Sequence, residues 1–127
     1  MVDLKVLLTK ILQTDLVIES GTDTYGFNWK KYASGRLEAS RIRNVGQVTI
    51  STTISSTYKV GGTLTKGYPE LATSGTVAVV YIGNSSNSGT VLESITNTTF
   101  RIGKETSSNV TLQNVTFAEI LIDGRWK

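Results

Sequence analysis

Between Val48 and Ser55 the chain alternates without a break: Val48, Ile50, Thr52 and Ile54 point one way along an extended backbone, Thr49, Ser51, Thr53 and Ser55 the other. A period of two cannot be a helix face, because a helix would scatter those apolar residues around its axis. The stretch is expected to be a half-buried strand with a hydroxyl-rich outer face, and the rest of the chain must supply its sheet partners. Composition agrees. The polar residues are mostly Ser, Thr, Asn and Gly, which suit strands and tight turns, and twelve Gly against one Pro make Gly the main turn residue. At 127 residues, with 39% hydrophobic and 18% charged side chains, the chain matches one ordered domain. Its core should bury roughly two-thirds of the unfolded surface.

Only the start of the chain has a helical period. Leu4, Leu7, Leu8, Ile11 and Leu12 form one stripe, with Asp3 as a suitable N-cap. A helix of about ten residues is marginal alone in water, so the stripe must pack on the chain's own domain or on symmetry mates. After Thr14 the reading is β: Leu16 to Glu19, ended by a loop at Gly21; Val48 to Ser55; short pieces around Gly61-Gly62 and Gly67; Thr76 to Gly83; Thr98 to Ile102; Val110 to Phe117; and Glu119 to Ile122. The segment "TVAVVYIG" is apolar on both faces, which predicts a central strand or one covered by a neighbouring subunit. The apolar parity slips between Leu112 and Val115, predicting a bulge or turn at Gln113-Asn114. Residues 1–14 are therefore read as a helix and 15–127 as an antiparallel sandwich, jelly-roll-like, in one domain.

The stretch "NWKKYASGRLEAS", 28 to 40, fits a hairpin with a three-residue Ala33-Ser34-Gly35 loop and Gly35 in the left-handed position. This register opposes Lys30 to Glu38 and Trp29 to Ala39. It collects Phe27, Trp29, Leu37 and Ala39 on one face, with Lys31 near the turn, and Asn28, Lys30, Tyr32, Arg36, Glu38 and Ser40 on the other. The polar face is either a solvated hairpin surface or, through Asn28, Tyr32 and Arg36, part of a patch suited to sugars, whose rings stack on aromatics amid amides and hydroxyls. Further candidates for ligand contact are Tyr25, Tyr58 with Lys59, Tyr68, and Asn84 and Asn87 in the polar 84–89 loop. Trp126 is expected to dock against strands or at a subunit contact.

The exclusions are sharper. With no Cys and no His, disulfides, thiolate zinc sites and His-based nucleophile pairs are ruled out. A net charge of +3 without a basic run argues against nucleic acid. No apolar run reaches the roughly 20 residues of a membrane span, and the first residues lack the marks of a signal peptide. Glu19, Asp23, Glu38, Glu70, Glu93 and Glu119 form no recognisable catalytic pair, and no acidic metal-binding loop is present, so neither catalysis nor a metal or other cofactor is expected. Asn-x-Ser/Thr sequons at Asn84, Asn97, Asn109 and Asn114 are attributed to composition.

The hairpin also resembles one found in C-terminal domains of phage and prophage tail-fibre or minor tail proteins, "(R/K)-K-W-(S/N)-(D/S)-G-x-x-E-C-W". Lys30, Lys31, Ser34, Gly35 and Glu38 match it, Tyr32 stands for the first Trp, and Ala39-Ser40 stand for Cys-Trp. "GYPELATSGTVAVVYIG" and the terminal "GRWK" are similar to further segments of that family in the same order, so the resemblance spans most of the chain from about Val17. It implies a homotrimeric β-sandwich at a virion tail tip, made in the host bacterial cytoplasm. Its partners would be other tail proteins and bacterial cell-surface polysaccharide. On this reading Leu4, Leu7, Leu8, Ile11 and Leu12 are the oligomer interface.

Overall fold

The computed structural model describes residues 15–83, 90–94 and 96–127. Within them the chain is all-β and antiparallel. Its strands are β1 (Val17–Thr22), β2 (Asn28–Tyr32), β3 (Leu37–Ser55), β4 (Tyr58–Gly61), β5 (Leu64–Thr65), β6 (Ser74–Ile82), β7 (Thr90–Ser94), β8 (Thr99–Glu105) and β9 (Val110–Arg125). The helix expected over 1–14, with its Leu4, Leu7, Leu8, Ile11 and Leu12 stripe, and the loop holding Asn84 and Asn87 lie outside the described residues.

Five strands run side by side in the order β1-β2-β3-β9-β6. The 19-residue β3 organises them: its start pairs with β2, its middle with β9, and its end continues past both to pair with β4. From β4 the hydrogen bonding passes to β8, which carries β7 on one edge and β4 then β5 on the other. The β8 region packs over β3 and β9. Phe100 and Ile102 meet Val48, Ile50, Leu112, Val115 and Phe117, with the Phe100 and Phe117 rings 4.8 Å apart and edge to face. This arrangement is favoured by the ring quadrupoles. A second cluster, Phe27, Leu37, Ala39, Val77 and Leu121, closes the other end with help from Trp29 and Trp126.

The hairpin register is the one expected from the separation of faces. Lys30 opposes Glu38, Trp29 opposes Ala39, and Gly35 takes φ 98°. The alternating stretch is a strand as expected, though Ile54 at its end stands exposed beyond the core. The predicted irregularity at Gln113-Asn114 is a bulge: Asn114 has φ 51°, and Val115 pairs with Gly46 where both strands slip register. That slip returns Val115 and Phe117 to the core side, which is why the parity shifts without ending the strand.

Three expectations change. The first strand does not stop before Gly21 but runs to Thr22, the chain turning at Asp23–Gly26 where the Asp23 carboxylate accepts the Tyr25 and Phe27 amides. Val110 to Phe117 and Glu119 to Ile122 are one 16-residue strand, because the bulge bends β9 without breaking it. And β6, expected to be either central or covered by a neighbouring subunit, is not central: among the described strands it pairs only with β9. Its two apolar faces have another cause, taken up below.

Candidate functional site

Strand register sorts the side chains of β3, β9 and β6 onto two faces. Ala39, Leu121 and Val77 lie side by side inward, followed by Arg41, Glu119 and Val79, then Arg43, Phe117 and Tyr81. Outward, the matching rows are Ser40, Ile120 and Ala78; Ile42, Ala118 and Val80; and Asn44, Thr116 and Ile82. The outward rows therefore carry Ile42, Val80, Ile82 and Ile120, with Ile122 in the next row over Thr76, and all five are exposed, Ile42 to 73%. Alternation on these strands does not separate apolar from polar. It separates a buried apolar face from a bare one.

At one side this face runs into an open groove of about 510 Å³, whose walls include Asn28, Lys30, Arg36, Glu38, Ile120 and Ile122. Two of the residues proposed for ligand contact, Asn28 and Arg36, meet here. Neither is idle: Asn28 Oδ1 accepts from Thr22 Oγ1 at 2.8 Å, and Arg36 pairs with Asp15 at 3.2 Å and Glu38 at 2.8 Å. The Arg36 guanidinium lies 3.8 Å from the centre of the Tyr32 ring, and Tyr32 is buried. Tyr32 therefore offers no free face to a sugar. Hydrogen bonding with Glu38 raises its pKa, and the same contact holds the Glu38 carboxyl below its usual range. The Ser34 hydroxyl does likewise for Asp15. The polar side of the hairpin is thus an interlocked ionic surface.

The inward face holds the feature that sequence reasoning missed. Glu119 is fully buried, and Oε1 takes the Arg41 Nε–H at 3.0 Å while Oε2 takes Arg41 Nη2 at 3.2 Å and the Gly67 amide. Arg43 Nε approaches Oε1 to 2.9 Å as an ion pair, off hydrogen-bonding geometry. Burial of such charges is costly unless paired and hydrogen-bonded; Arg41 and the Gly67 amide meet that need, and Arg43 adds its charge alone. The signal was available. Arg41 and Arg43 continue the inward parity of Leu37 and Ala39, and Glu119 sits between inward Phe117 and Leu121, so opposite charges were due to face one another across paired strands.

This cluster positions two loops. Arg41 Nη1 donates to the Tyr25 carbonyl at 2.7 Å, and the same guanidinium binds the carboxylate that holds the Gly67 amide. A Cβ on Gly67 would collide with Arg41, so only glycine lets the loop approach so closely. Asp23 adds a second tie, accepting the Glu70 amide at 3.0 Å. Tyr25 and Tyr68, both proposed for ligand contact, therefore stand on neighbouring fastened loops, 59% and 42% exposed. Tyr68 also lines a hollow of about 240 Å³ with Lys66, Thr76, Asn97 and Thr98.

Tyr58 and Lys59 have other duties. Tyr58 donates to Glu93 at 2.6 Å, whose other oxygen takes Arg101 Nε at 2.8 Å, and Lys59 donates to Thr53. Burial, together with the Glu93 carboxylate, pushes the Tyr58 hydroxyl up to about 12. Trp126 docks as expected of an ordered terminus: its indole N–H donates to the Tyr32 carbonyl at 2.9 Å, and Lys31 and Lys127 each lie 5.0 Å from its ring. Among the described residues no group of three His, Cys, Asp or Glu could hold a metal ion, and no helix is long and apolar enough to cross a membrane.

Neither a family model, nor a curated protein, nor a solved structure matches this chain.

Proposed function

We propose that the chain is the tip domain of a phage tail fibre, a jelly-roll-like β-sandwich that assembles as a homotrimer and attaches the virion to bacterial surface glycan without cutting it. The observation that carries this reading is the bare aliphatic face of β3, β9 and β6. A contiguous apolar surface of this kind is uncommon on a monomer and marks a protein contact.

The occupant is a second copy of the chain. The face carries no charge among Ile42, Ala78, Val80, Ala118, Ile120 and Ile122, and β6 has neither the Pro nor the charged residue that ordinarily guards a sheet edge. That composition suits permanent burial against an equally apolar surface rather than repeated exposure. The number three follows from the resemblance and from the leucine stripe at 4–12, which would give three chains a common bundle. Tyr25 and Tyr68 stand on loops held from the inward side by the Arg41–Glu119 cluster, and both are exposed on the single chain. Their exposure favours receptor contact over a purely structural place among the tail proteins.

Light scattering at low concentration tests assembly, with a mass of three chains expected. Incubation with isolated bacterial cell-wall polysaccharide tests the rest, with the polysaccharide retained by the protein and its chain length unchanged. A folded monomer overturns the assembly, and shortened polysaccharide overturns the non-catalytic role.

A further inference from the structure

The geometry points to one saccharide-binding platform built from Tyr25 and Tyr68 together, with the hollow beside Tyr68 receiving a single sugar ring. The inference rests on the glycan-binding role proposed above and names its site.

Most tyrosines offered by the sequence are spent internally: Tyr32 is capped by Arg36, Tyr58 bonds Glu93, and Tyr81 packs on Phe117. Tyr25 and Tyr68 are the two exposed ones among the described residues. They are also the two whose loops the chain fastens at the cost of burying charge. The Arg41 guanidinium holds the Tyr25 carbonyl directly, and through Glu119 it holds the Gly67 amide just before Tyr68. Asp23 bridges the same two loops independently, and the Lys66 amide donates to the Thr98 carbonyl at 2.8 Å. The Tyr68 hydroxyl donates to the Gly75 carbonyl at 3.2 Å, which fixes its ring as one wall of the hollow. A rigid aromatic that loses little conformational freedom on binding suits a sugar, which presents weak, repeated contacts. Asn97 and Thr98 also line the hollow, and an amide and a hydroxyl are donors and acceptors of the kind sugar hydroxyls require. A hollow of about 240 Å³ suits one sugar ring of a longer glycan.

The test titrates the intact protein with N-acetylglucosamine, galactose, rhamnose and glucuronate at millimolar concentration and with isolated cell-wall polysaccharide, read by tyrosine fluorescence and by nuclear magnetic resonance shifts. At least one sugar should shift residues 66–68 and 97–98. Tyr68→Ala and Tyr25→Ala should each weaken polysaccharide binding about tenfold, and Tyr68→Phe, which keeps the ring but loses the bond to the Gly75 carbonyl, should weaken it less than the alanine. Circular dichroism matched to the parent excludes misfolding. Polysaccharide binding unchanged in both alanine variants overturns the platform and leaves the proposed function standing. Absence of binding to every probe by the parent overturns both.

Discussion

Glu119 stands on the inward side of β9 between Phe117 and Leu121, where a strand ordinarily carries hydrocarbon. It is tolerated because Arg41, Arg43 and the Gly67 amide surround it, and that dependence is testable. Glu119→Gln keeps the shape and removes the charge, leaving two guanidinium groups facing each other. It should cost about 3–5 kcal/mol in urea unfolding, as for other buried pairs broken on one side, and a neutral result would mean the loops are held by other contacts. Tyr58 makes a pH prediction. Its hydroxyl pKa rises from 10.0 to about 12 on folding, so its contribution is fully present below pH 10.0 and is lost as pH climbs toward about 12. Glu93 runs the other way. Hydrogen bonds from Tyr58 and Arg101 hold its pKa below 4.5, so its contribution is present above that pH and lost in acid. Tyr58→Phe should flatten the alkaline loss of stability relative to the parent; an identical alkaline profile in the two proteins would remove Tyr58 as the cause. Strand parity marks the Glu119 cluster in the sequence, but nothing marks the one around Tyr58. Tyr58, Glu93 and Arg101 lie on three strands, β4, β7 and β8, and their meeting depends on how those strands pair.

At the scale of elements, the β2–β3 hairpin was readable in detail because one register alone separated Phe27, Trp29, Leu37 and Ala39 from every charged residue but Lys31 near the turn. Its turn depends on Gly35, whose φ of 98° lies in the left-handed region and whose Cα passes against the Arg125 guanidinium. Arg125 donates to the Ser34 carbonyl at 2.9 Å, so hairpin and C-terminus are secured at one point. Gly35→Ala should cost about 1–3 kcal/mol through backbone strain and displacement of that arginine, measured as a lowered thermal midpoint. An unchanged midpoint would show the turn can relax freely. The bulge in β9 was legible too, since a parity slip at Gln113-Asn114 needs an extra residue. The length of β3 was not. Its N-terminal half carries Arg41, Arg43 and Asn44, which interrupt the apolar alternation, and the ion cluster half-buries the two arginines.

The whole molecule raises the question of what covers the outer face of β3, β9 and β6. Ile42 is its most exposed aliphatic and contributes nothing to the cores, so Ile42→Lys tests assembly without disturbing the fold. It should reduce the scattering mass from three chains to one with the β spectrum unchanged; a mass of three chains in the variant would move the subunit contact elsewhere. Period-two alternation, Gly-rich turns and the absence of Cys determined by themselves that the chain after Thr14 is β and held without disulfides, and that its hairpin turns at Gly35. Those are local matters, governed by which side of a strand a residue occupies and which backbone angles it tolerates. Only the tertiary structure decided that β6 pairs, among the described strands, with β9 alone, that Tyr32 and Tyr58 are occupied while the Tyr25 and Tyr68 rings are exposed, and that two arginines converge on one carboxylate. Each depends on contacts between residues far apart in the chain. Their energies favour a side chain only after the strands have chosen their neighbours, and no local pattern records that choice.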